Sequence, residues 1–121
     1  MRTLLILAVS LLTACAMQVP RVSTTFSSDN LSDKTLTLRD AITLNAATGY
    51  ASTMPAGSRW VQAGVIPEGD VYKIENSVFT VTGMHIHEAY VVVMGRAIVG
   101  FYLPVERAFS PLPEKALLPT Q

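Results

Sequence analysis

Cysteine is all but missing from this sequence. One residue in 121 is cysteine, Cys15, so no disulfide can form within the chain and its fold must be held by its core. Net charge is missing too, because 9 Lys and Arg balance 9 Asp and Glu. With no basic stripe, the chain lacks the electrostatic footprint of a nucleic-acid binder. Histidine occurs only at His85 and His87, which leaves little for acid–base work elsewhere. No phosphate loop, Gly-x-Ser-x-Gly turn or metalloprotease helix is present, and the reading is of a protein that is not an enzyme. The apolar run at the N-terminus, Leu4 to Leu12, is about half of the roughly 20 residues that a membrane-spanning helix needs.

What is present begins with that run. Arg2 supplies a positive charge, the apolar block follows, and small residues lead into the sole cysteine, which is the layout of a secretory signal peptide over residues 1–14. The stretch Leu12-Thr13-Ala14-Cys15 resembles the lipobox of bacterial lipoproteins. The resemblance covers the first fifteen residues. It implies that Cys15 is lipidated, with a thioether-linked diacylglycerol and an acylated (palmitate-type) amino end, and that the leader is removed before it. Ala16 in the place after the cysteine implies the outer membrane, with the domain facing the periplasm or exposed at the surface. Two or more acyl chains anchor stably where one does not.

Half of the chain is apolar, enough for one small domain with its own core. Residues 16–33, "AMQVPRVSTTFSSDNLSD", are rich in Ser, Thr and Asp, so residues 15–33 read as the lipidated cysteine and a flexible tether. Fully extended, that tether would lift the domain about 50–60 Å from the membrane. A competing reading makes Val22 to Phe26 an edge strand. From residue 34 to 109 the pattern is mostly β: "TLTL" and "AITL" alternate at period two, and "MPAG" and "PEGD" are turns. "SRWVQAGVI", "VYKI" and "SVFTV" are strands rich in β-branched and aromatic residues. "MHIHEAYVVVMGRAIVGFYL" places two apolar runs around Gly95-Arg96, which suits a type II′ hairpin. Tyr90 to Met94 has no polar residue on either face and needs cover on both sides.

The expected fold class is therefore all-β, a small antiparallel barrel or sandwich of about 6–8 short strands. Its predicted core is Trp60, Val71, Ile74, Phe79, Val81, Tyr90, Val92, Ile98 and Phe101. Pro104, Pro111, Pro113 and Pro119 argue against a ladder beyond Leu103. Residues 110–121 are thus expected as a Pro-rich C-terminal tail, with Phe109 and Leu112 as anchors.

"HIHE" is the one stretch with chemistry to offer. On a strand His85 and His87 share a face, about 6.6 Å apart at Cα, and two imidazoles so placed can converge on a metal ion. Met84 would complete a copper set and Glu88 a zinc set, if a bend or bulge brought either to that face. Trp60, Tyr90 and Tyr102 are candidates for an interaction surface, although such aromatics more often fill a β core. The leading expectation is a non-catalytic, lipid-anchored envelope protein that binds a protein partner or supports envelope assembly. Copper or zinc binding through His85 and His87 is the alternative, and inhibition of a host hydrolase such as lysozyme a third.

Overall fold

A computed structural model of the chain describes residues 17–29 and 31–119. The leader and Cys15 lie outside the described residues. Among those described there is no helix, hence none long and apolar enough to cross a membrane.

The described residues form eleven strands, all paired antiparallel: β1 (Val22–Ser23), β2 (Thr35–Thr37), β3 (Ile42–Asn45), β4 (Ala51–Met54), β5 (Arg59–Ile66), β6 (Gly69–Ile74), β7 (Thr80–Thr82), β8 (Ile86–Glu88), β9 (Tyr90–Met94), β10 (Ala97–Leu103) and β11 (Ala108–Leu117). Seven make one sheet in the order β1-β11-β10-β9-β6-β5-β2, while β3-β4 and β7-β8 are separate pairs. The all-β class and sandwich-like layering agree with the sequence pattern. The β9–β10 turn is the expected two-residue one, with Met94 opposite Ala97 and Gly95 at φ 64°, the positive angle that a type II′ turn requires at its first central residue.

Burial on both faces explains the valine run. Val91 and Val93 point into a large core with Leu44, Met54, Trp60, Phe79, Val81 and Phe101. Val92 points the other way, into a smaller core with Ile66, Val71, Tyr102 and Phe109. The β3-β4 and β7-β8 pairs cover the first face. They are joined by side chains, Ser52 donating its hydroxyl to the Thr80 carbonyl at 2.9 Å and Thr48 to the Thr82 carbonyl at 2.7 Å. All of the predicted core is buried except Tyr90, which is half-buried.

The N-terminal segment covers the second face, which corrects the tether. Val22 and Ser23 pair with Phe109 and Ala108 of β11, and Ser27 exchanges backbone hydrogen bonds of 2.9 and 2.8 Å with Val65 of β5. In a flat sheet β1 and β5 would be five spacings apart, about 24 Å, whereas Ser23 to Ser27 spans at most about 14 Å. The main sheet is therefore curled until this segment bridges its two sides. Phe26 fills the space so enclosed, stacked on Tyr102 with ring centroids 4.8 Å apart. It fits because position 64 is glycine, where a Cβ would run into the Phe26 ring. Val19 is buried in the large core against Gly83.

The tail is corrected likewise, since residues 108–117 are strand β11. Its partners on β10 jump from Pro111, opposite Gly100, to Ala116, opposite Ile98. Residues 112–115 thus leave the ladder as a bulge, and Pro113 falls where no backbone donor is needed. Phe109 and Leu112 are buried, as the anchoring expectation required.

Candidate functional site

The His-x-His strand stands at the end of the molecule where β10 turns into β11. His85 is exposed, and His87 is nearly buried, with its side chain 10% accessible. Their rings are 6.5 Å apart and almost perpendicular, at 87°. His87 is already engaged: its Nδ1 lies 2.6 Å from Oε1 of Glu106, in the β10–β11 turn. Arg21 approaches the same oxygen at 4.0 Å, and Oε2 of Glu106 is buried with no hydrogen-bond partner among the described residues. Burial pushes the Glu106 carboxyl up, but the His87 hydrogen bond, a backbone bond in its own turn and the charges of His87 and Arg21 outweigh it. The carboxyl is held below its usual range.

This arrangement ties three distant pieces of chain together: the N-terminal segment, β8 and the β10–β11 turn. The amide of Met84 adds a third contact, donating to the Met17 carbonyl at 3.0 Å. Met84 is exposed and Glu88 half-buried, and neither joins the histidines. No group of three or more His, Cys, Asp or Glu is placed to share a metal ion among the described residues. Glu106 and Arg21 were not legible as partners of His87, because nothing in a sequence marks a carboxylate 19 positions away as the neighbour of a strand residue.

The aromatic candidates do not share a surface. Trp60 is fully buried, edge-on to Phe79 at 5.1 Å, and its indole N–H donates to the Ser58 hydroxyl at 2.9 Å. Tyr102 is buried beneath Phe26, so Trp60 and Tyr102 belong to the core and not to an interaction surface. Tyr90 alone reaches solvent, with the Lys73 ammonium 5.7 Å from its ring centroid.

A groove that the sequence did not reveal runs beside β2, the strand that ends the main sheet. Its volume is about 890 Å³, and its lining includes Leu36, Leu38, Arg39, Arg96, Leu118 and Pro119. Leucines form the floor, while Arg39 and Arg96 are exposed at the rim. No protein-family model, curated protein or solved structure matches this chain.

Proposed function

We propose that this is a small lipid-anchored protein of the bacterial envelope whose role is non-catalytic, and that it holds a segment of a partner protein in the groove beside β2. The groove carries this reading. Its lining combines Leu36, Leu38 and Leu118, which would take the apolar side chains of a bound segment, with the charged groups of Arg39, Asp40 and Arg96. The lipobox-like Leu12 to Cys15 stretch supports the anchor and the outer-membrane location. Anchoring would raise the effective concentration of such a module near membrane partners.

The test is site-specific photocrosslinking in intact cells, with a photoreactive residue at Thr35, Arg39 or Arg96, and at exposed Val78 as the distant control. The proposal requires one envelope protein to be captured from the three groove positions and not from position 78. Equal capture at all four, or none in the groove, would remove it.

A further inference from the structure

We infer that the end of the domain bearing Met17, Met84, Ile86 and Val105 rests directly on a lipid bilayer. The inference depends on the lipoprotein reading of Cys15 and deepens it. Three observations combine.

The first is reach. The described fold begins at Met17, whose carbonyl is hydrogen-bonded to Met84, and Val19 is already in the core. Only Ala16 separates Met17 from Cys15, and two residues span at most about 7 Å. With no slack to serve as a tether, an acylated Cys15 brings this end of the domain to the headgroup layer.

The second is what this end exposes. Ile86 is 71% accessible and Val105 is 77%, and both Met17 and Met84 are more than half exposed. They come from three separate stretches, which the Arg21–Glu106–His87 cluster and the Met17–Met84 bond bring to the same end of the domain. Apolar side chains held at this position match what an interfacial protein buries about 5–10 Å into the headgroup and acyl boundary.

The third is charge. Arg21 and Arg107, both solvent-accessible, flank the patch, where cations face the anionic headgroups of a bacterial membrane.

The test uses the full chain, matured and acylated in cells, purified and reconstituted into vesicles of phosphatidylethanolamine and phosphatidylglycerol. An environment-sensitive fluorophore is attached to Ile86→Cys or, as control, to Leu117→Cys. Leu117 is 79% exposed but pairs with Ala97 at the far end of β10. Intact mass reports independently whether Cys15 carries lipid. We expect a lipidated mass, blue-shifted emission at position 86 that brominated acyl chains quench, and water-like emission at position 117. A lipidated mass with water-like emission at both positions overturns this orientation and leaves the anchor standing. An unmodified Cys15 overturns both. Because the vesicles contain no other protein, a shift at 86 cannot come from a protein partner covering the patch.

Discussion

Replacing Phe26 by alanine separates a docked N-terminal segment from a tether. If residues 16–33 were a polar linker, Phe26→Ala would change stability by no more than about 0.5 kcal/mol, as surface substitutions do. In the structure the ring stacks on Tyr102 and packs with the second core. Truncating a fully buried phenylalanine costs about 3–5 kcal/mol, and a stacked aromatic pair adds about 0.5–1.5 kcal/mol beyond its area. Because Phe26 keeps part of its surface in water, the expected loss is about 2–3 kcal/mol. For a domain of this size that lowers Tm by about 8–20 °C. Gly64 supplies an internal check. A methyl group there would occupy the space of the Phe26 ring and also press on the Ser27 carbonyl, so Gly64→Ala alone should cost about 1–3 kcal/mol. Once the ring is gone, most of that clash disappears, so the double variant should be more stable than the summed single effects predict, by about 1 kcal/mol. Urea unfolding of the four proteins measures all terms. A neutral Phe26→Ala, or strictly additive effects, would refute the account of how this segment closes the sheet.

Three further outcomes are expected. The Glu106 carboxyl is held low in the fold, so its contribution is present above the unfolded range of about pH 4.3 and is lost as the pH falls through the folded value. Glu106→Gln should therefore be less stable than the parent near neutrality, and denaturant titrations should show the two converging in acid. Burial pushes both tyrosine hydroxyls, Tyr72 and Tyr102, above their ordinary value. Their contribution is full below about pH 10 and declines as the pH rises through the folded values, so Tyr102→Phe should flatten the alkaline limb of the stability profile. At Gly100 a Cβ would lie against the Ser110 carbonyl and the Phe109 ring. Gly100→Ala should cost about 1–3 kcal/mol by thermal unfolding, while the exposed Thr43→Ala should stay within about 0.5 kcal/mol.

The sequence pattern carried further for the strands than for their cover. Period-two alternation and β-branched runs identify β5, β6, β9 and β10 because each residue's burial there follows its position on one pleated strand. The double-sided valine run located the middle of the sheet for the same reason. The stretch from Val22 to Ser27 read first as a linker, with an edge strand only as the competing reading, because the contacts that order it are few and distant. Val22 meets Phe109, and Ser27 meets Val65. Between these contacts the chain is polar, since one side of it faces water. The composition is that of a linker, and what makes it structure is one glycine and one ring that fit each other across 38 positions. In β11 the prolines did not prevent a ladder, because Pro111 keeps its register opposite Gly100 and Pro113 falls within the bulge.

The His-x-His motif shows the same division at the level of chemistry. Spacing predicted a shared neighbourhood, and the rings are indeed neighbours at 6.5 Å. Spacing could not say that one ring would turn inward to a carboxylate while the other stayed in solvent. That difference decides what the pair does. His87 holds the same Glu106 oxygen that Arg21 approaches, so β8, the β10–β11 turn and the N-terminal segment meet at one carboxylate. The Met17–Met84 hydrogen bond adds to that junction, so the exposed side chains of Met17, Met84, Ile86 and Val105 lie at one end of the domain. The stretch that offered the most chemistry in the sequence is, in the structure, also a joint where three separate stretches of chain meet.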